Sequence, residues 1–403
     1  MFGQDNPIVT TRIGEVGQAA PVPVSNDAAP SSPSAVRFPG DGDFSRTLKK
    51  RANHYFETEG GTRRDRPAML LKSAILLTWF VMSWALLVFA ATTFWQAILL
   101  SMSLGFSIAG IGMAVQHDAN HGAYSKHSAV NTLFSLTLDI MGVSSFIWRQ
   151  KHNVFHHTFT NVEGVDFDLD FGSIARLTPE QDRRPWHRFQ HLYIWGLYGL
   201  LLPKWVLFDD FVVITTRKLG SHRLSKPSRV DLLRFAGAKL FFFGWALLVP
   251  ALYHPIWQVF LFLVLASYTM GVTLGSVFQL AHCVEEADFP PVPANGERMR
   301  EEWSVHQMAT TVDFARSNVL LSWYLGGLNF QVEHHLFPKV SHMHYPALSR
   351  IVEEVASEHG VRYRSTPTFS GSLASHYRHL RGLGQRQADA LVSPIGLPAK
   401  PLA

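Results

Sequence analysis

The sequence predicts an all-α integral membrane protein. It has four transmembrane helices in two hairpins, further helices lying at the interface, and a cytoplasmic helical cap that gathers histidines. Three observations carry this. Four long apolar runs come in two close pairs, Lys and Arg crowd one side of those runs, and histidine clusters lie just beyond the run ends. Composition agrees: hydrophobic residues make up 47% of the 403 residues and charged ones only 17%, against about 25% charged in average soluble domains.

Residues 1–40 are rich in Pro, Ala, Ser and Val without period and are expected to form a disordered tail. No charged start, apolar core and cleavage site follow one another there, so no secretory signal is expected. A basic, helix-like stretch, "FSRTLKKRANHYF", spans 44–56. The apolar runs are Ala68 to Thr92, Ala97 to Gln116, Phe235 to Tyr253 with Lys239 near its start, and Ile256 to Leu280. Each approaches or passes the ~20 residues that cross a bilayer as a helix.

Arg46, Lys49, Lys50, Arg51, Arg63, Arg64 and Arg66 precede the first run, and the 117–234 connection and the segment after 280 are rich in Lys and Arg. The two short tips, 93–96 and "HPI", carry neither. The positive-inside rule then puts both termini and the central connection in the cytoplasm. The net charge of +5 is topological on this reading and calls for no nucleic acid. Residues 128–148, with Asp139, and 191–214, with Pro203, Lys204, Asp209 and Asp210, are apolar but interrupted. Central charges are costly in lipid, so both are expected as helices lying in the cytoplasmic interface.

"HDANH" places His117 and His121 directly after the second run, and "HNVFHH" places His152, His156 and His157 in the central connection. "QLAHC" places His282 past the fourth run, and "NFQVEHHLFP" carries Gln331, His334 and His335 before Pro338. Residues three or four apart share a helix face, so each cluster points one way. The topology read from charge alone puts all the clusters on one side of the membrane. Eight histidines and a glutamine exceed what one six-coordinate metal can use. They suit two octahedral metals with open positions for oxygen or water.

Imidazole suits iron, copper, zinc and nickel. The single cysteine, Cys283, excludes a disulfide framework and Cys-based zinc or iron–sulfur sites. Without Cys or Met ligand clusters a copper electron-transfer site is disfavoured. A metal transporter would carry ionisable groups at the membrane midplane, where the four runs have none. A metalloprotease would carry HExxH, which is absent.

In "NVEGVDFDLDFG", Glu163, Asp166, Asp168 and Asp170 are candidates to orient ligating imidazoles, as are Asp118 and Asn120 inside the first box. Arg149 and Lys151 flank the second box and are candidates for an acyl headgroup or a lipid phosphate. His127, His187, His191, His222 and His254 belong to no cluster. His342 and His344 are expected at the surface or an interface, and His306 in a structural role.

The HxxxH, HxxxHH and QxxHH boxes, as "HDANH", "HNVFHH" and "QVEHH", resemble those of the membrane fatty acid desaturases. The Gln heading the third box marks the front-end subgroup, which adds a double bond between an existing one and the carboxyl end. "GVSSFIWRQKHNVFHHTFTN" and "GGLNFQVEHHLFPKVSHMHYPAL" extend the resemblance to the delta-6 acyl-lipid type, over about Phe38 to Leu383. It implies a desaturase domain over 41–385, with 386–403 a flexible tail. It also implies two irons, held by His117, His121, His152, His156, His157, His282, His334 and His335, with O2 as co-substrate. Gln331 stands where many acyl-CoA desaturases carry a histidine. The substrate implied is an acyl-lipid or acyl-CoA. Di-iron hydroxylases and sphingolipid desaturases share the scaffold and remain alternatives. No HPGG haem motif of a fused cytochrome b5 occurs. A separate electron donor is therefore expected, ferredoxin or cytochrome b5 with its reductase.

Overall fold

The computed structural model describes residues 36–220, 222–293 and 298–385. Most of the expected tails, 1–40 and 386–403, lies outside these. The exception corrects the first tail: Phe38 stacks on Phe159 at 5.8 Å and meets the His306 ring at 5.1 Å. An aromatic side chain with a partner in the fold ends the tail before residue 38.

Among the described residues, four helices are long and apolar enough to cross a membrane. After α1 (Asp43–Tyr55) they are α2 (Pro67–Phe89) and α3 (Phe94–His121), then α8 (Arg229–Ala251) and α9 (Ile256–His282). Local chemistry sets their starts. Pro67 occupies the first turn of α2, where its missing N–H breaks no bond. Thr93 and Gln96 form a capping box at α3, as Ser228 and Asp231 do at α8. The helix α3 packs against both α2 and α9. It meets α9 closely at Gly105, where a Cβ would lie 2.5 Å from the Ala266 carbonyl oxygen. At 28 residues, α3 rises about 42 Å, more than a ~30 Å hydrocarbon core. A helix of this length can span the lipid and still carry its final turn, with His117 and His121, beyond it.

The two interrupted stretches are not straight spans. In the first, α4 (Ser128–Ile140) and α5 (Ser145–His156) meet at a 113° corner. In the second, α6 (Gln190–Tyr198) is followed by Leu201–Lys204, Trp205–Asp209 and then α7 (Asp210–Thr216). Two of the charges that interrupt these stretches, Asp139 and Asp210, are buried and used at the corner, while Lys204 and Asp209 pair with each other nearer the surface. Asp210 accepts from the Ser144 N–H at 2.8 Å, Asp139 from the Ser145 N–H at 3.3 Å, and Lys239 of α8 pairs with Asp210 at 2.8 Å.

The remaining helices lie outside the four candidate spans. They are α10 (Trp303–Thr310), α11 (Val319–Tyr324), α12 (Gln331–Leu336), α13 (Tyr345–Glu358) and α14 (Phe369–Gln385). Two short sheets assist: β1 (Lys218–Leu219) pairs antiparallel with β2 (His222–Arg223), and β3 (Asp313–Phe314) pairs parallel with β4 (Ser365–Thr366). Only the structure discloses α11, whose six residues give no periodic signal. Val319 and Leu320 are exposed, and the Tyr324 hydroxyl donates to the Phe106 carbonyl of α3 at 2.8 Å.

Candidate metal centre

The first box is the last turn of α3, closed by Gly122 at φ 71°. Only a residue tolerant of the left-handed region ends a helix this way. His117 and His121 bring their rings 4.7 Å apart. The second box is wound differently. Residues Gln150–His156 form a π-helical segment, and the His157 N–H donates to the His152 carbonyl at 3.0 Å. Closure at i+5 keeps i, i+4 and i+5 on one side, which is why HxxxHH can use all three rings. A π turn at Gly112–Gln116 likewise leads into the first box. Such turns are frequent at functional sites. His282 is the last residue of α9, and α12 carries the third box.

The structure brings all nine expected ligands together, and all are buried. Ring nitrogens of His117, His121, His152 and His334 lie within 4.8 Å of one another, and so do those of His156, His282 and His335. His157 joins His334 and His335 in a third such group. The Gln331 amide is 2.9 Å from His282 Nε2 and 3.3 Å from His335 Nε2, between two of those rings.

Five of the box histidines have an outer nitrogen hydrogen-bonded, and several inward nitrogens have no partner. His156 Nδ1 meets Asp166 Oδ2 at 2.9 Å, and His152 Nδ1 meets Asp168 Oδ2 at 3.1 Å. His335 Nδ1 meets Gln307 Oε1 at 2.8 Å, His334 Nδ1 the Tyr345 hydroxyl at 3.2 Å, and His282 Nδ1 the Thr310 carbonyl at 3.4 Å. Inward, His121 Nε2, His156 Nε2, His157 Nδ1 and His334 Nε2 have no partner, and His152 Nε2 faces His157 Nε2 at 3.3 Å. Each buried orphan costs ~1–3 kcal/mol. Converging lone pairs with outer nitrogens anchored is the pattern of metal ligands held in one tautomer. The donor set therefore fits metal ions that accept imidazole nitrogen.

Electrostatics agree. Burial, then neighbouring imidazoles, holds His157, His334 and His335 well below the usual histidine range. That direction favours the neutral ring, the form that ligation requires. Burial also lowers His152, against the pull of Asp168. Burial acts on His156 too, but Asp166 and Asp168 together outweigh it and raise that ring. Asp168, despite burial, is held well below the carboxylate range by Lys151 and His152.

The acidic candidates separate. Asp166 and Asp168 meet box imidazoles, whereas Asp170 is exposed and accepts from the Gly172 N–H in its own turn at 2.7 Å. Glu163 accepts from Thr178 at 2.7 Å. Asp118 turns away from the rings and accepts from His342 Nδ1 at 2.9 Å. Asn120 takes Arg149 at 3.0 Å, and Lys151 pairs with Asp168 at 2.9 Å, so both flanking cations have partners within the protein. His342 and His344 are a correction: both are buried. His342 Nε2 is 2.7 Å from Lys72 Nζ, so its ring bridges α2 and box one, and His344 donates to the Thr62 carbonyl at 2.9 Å. Sequence reasoning missed Gln307, Thr310 and Tyr345, since no spacing links them to the boxes.

Apolar spans carrying a buried imidazole shell define a membrane protein able to hold metal on histidine. The chain belongs to the fatty acid desaturase family, whose model matches residues 92–367. It is 37% identical to an sn-1 linoleoyl-lipid 6-desaturase of Synechocystis, over 87% of this chain and 98% of the relative. A protein of the same name in Arthrospira platensis is 38% identical, covering 87% and 95%. An acyl-lipid (8-3)-desaturase of Physcomitrium patens is 35% identical, covering 85% and 72%. The chain is thus an oxidoreductase of lipid metabolism that introduces double bonds into fatty acyl chains.

Proposed function

We propose that this desaturase is a front-end, delta-6-type enzyme acting on the acyl chains of membrane lipids, with linoleoyl chains as substrate. The relatives named for linoleoyl-lipid 6-desaturation support this, as does Gln331 heading the third box. Two irons are held by His117, His121, His152, His156, His157, His282, His334 and His335, with Gln331 contributing its amide. The single observation carrying the assignment is the set of inward nitrogens without hydrogen-bond partners, backed by anchored outer nitrogens.

The chemistry supplied by two bound irons is activation of O2 for hydrogen removal from an unactivated methylene. The chain supplies placement. Asp166, Asp168, Gln307, Tyr345 and the Thr310 carbonyl fix the ring orientations. Burial of every ring keeps bulk water from the reacting carbon. The spans form two hairpins, α2 with α3 and α8 with α9, and the later helices form a cap. Lys and Arg asymmetry puts both termini and the centre in the cytoplasm. A separate donor, ferredoxin or cytochrome b5, supplies electrons.

A host expressing the chain and supplied with linoleate should accumulate γ-linolenate, with double bonds mapped by gas chromatography–mass spectrometry. A new bond on the methyl side, or a hydroxyl without an alkene, would overturn the front-end reading. Purified protein should hold about two irons, the capacity of this ligand set.

A further inference from the structure

We infer that the β1–β2 hairpin is the docking surface for an acidic one-electron carrier. The inference rests on the desaturase reading above and names where its donor sits.

The hairpin is cationic and unpaired. Residues 211–230 contain Arg217, Lys218, Arg223, Lys226 and Arg229 and no Asp or Glu. Lys218, Arg223 and Lys226 are exposed, and among the described residues none of them makes an ion pair. The N-terminal cations differ: Arg46 pairs with Asp43 at 2.6 Å, Lys49 with Asp41, and Arg51 with Glu358 at 2.7 Å. Nearby acids are engaged elsewhere, Asp209 with Lys204 at 2.6 Å, Asp168 with Lys151, and Asp231 in the Ser228 cap.

The hairpin packs on two phenylalanines that adjoin box two and its carboxylates in the chain. The His222 ring of β2 lies 4.9 Å from Phe155 and 5.5 Å from Phe167, which are 5.5 Å from each other. Phe155 precedes His156 in the chain. Phe167 lies between Asp166 and Asp168, the acceptors for His156 and His152. One layer of aromatic rings therefore separates a cationic surface from box two.

A lipid anchor would turn apolar side chains outward. Here Leu224 is buried with Ile147 and Val213, and Leu219 packs against them. Exposed apolar residues flank the hairpin on both sides, Leu207, Phe208, Phe211 and Val212 before it and Val230, Leu232 and Leu233 after it, and none of them is on the hairpin. The hairpin itself turns Lys218, Arg223 and Lys226 outward in place of apolar side chains.

The demand for electrons is set by balance. Forming the double bond removes two hydrogens, as two electrons and two protons, from the acyl chain. O2 accepts these with two further electrons and two protons, and leaves as two waters. The further electrons come from the carrier, one at a time.

The test uses the full iron-loaded chain in detergent and its triple variant Lys218→Glu, Arg223→Glu, Lys226→Glu. Affinity for a plant-type ferredoxin and for a soluble cytochrome b5 domain is measured at low and high salt. Turnover is followed with the carrier and with dithionite. Binding to one carrier should weaken about tenfold or more with salt and with the charge reversal. Carrier-driven turnover should fall in parallel, while dithionite-driven turnover and iron content stay. Equal carrier affinity in the two proteins, equal loss of dithionite-driven turnover, or a difference confined to binding phosphatidylglycerol vesicles would overturn the inference. Charge-dependent binding by a wild type that turns over with neither reductant would instead strike the desaturase reading and leave the docking surface standing.

Discussion

Boxes two and three both present consecutive histidines to one centre, but the chemistry behind them differs. His152 and His156 rest on carboxylates, Asp168 and Asp166. His334 and His335 rest on the Tyr345 hydroxyl and the Gln307 amide. The carboxylates outweigh burial at His156 and raise it, whereas His334 and His335 sit well below the normal range. A carboxylate behind an imidazole fixes its tautomer and strengthens it as a donor. A neutral acceptor only orients it. On the proposed ligand set, the centre combines strongly donating imidazoles from one box with weakly backed ones from the other.

The largest expected effect breaks the shell itself. His156→Ala should abolish product and reduce bound iron while leaving membrane insertion intact. His127→Ala, at an exposed histidine outside the shell, should keep both. Product assays with iron determination decide it, and like behaviour of the two variants would refute the ligand assignment.

Next come the backing groups. Asp166→Asn should cost 10–100-fold in metal affinity or activity, by analogy with other ligand-orienting carboxylates (~10–100-fold). Gln307→Leu should fall at the mild end of that range, about tenfold. Metal titration of both variants tests the contrast, which disappears if the losses match.

A smaller effect is expected at the amide between His282 and His335. Gln331→Ala should lower turnover, and Gln331→His should retain more, because imidazole can take the amide's place. Full activity in Gln331→Ala would reduce this residue to packing.

The last effect is on stability rather than on turnover and concerns α10, which carries Gln307. His306 on the same helix is buried, and burial pushes it down to about 4. The unfolded chain titrates near 6.5. The unfolded state therefore binds the proton first, and stability present above pH 6.5 is lost as pH falls toward 4. The whole window is worth about 3 kcal/mol. Thermal unfolding of His306→Phe should show a shallower acid dependence over that range. An unchanged pH profile would remove His306 from the account.

Much of the fold was legible because its signals are local. Apolar runs predicted the spans, and α9 begins at the expected Ile256 and passes the expected end by two residues. Helical spacing grouped the box histidines. What escaped was set by long-range contact or by unusual winding. Nothing in the spacing shows that residues 150–156 wind as a π segment, so the use of His157 beside His152 was argued from adjacency alone. His342 looked peripheral because Pro338 separates it from the box, yet it lies between Lys72 and Asp118.

The sequence by itself determined the segments apolar and long enough to cross a membrane and which histidines gather in one buried shell. Hydrophobicity and side-chain type are properties of residues, and their periodicity survives without neighbours. Only the tertiary structure decided which groups stand behind each imidazole. Gln307 and His335 are 28 residues apart, as are Thr310 and His282, and no local rule couples such pairs. The tertiary structure also chose Asp166 and Asp168 over Asp170, because the turn that buries the first two leaves the third in water.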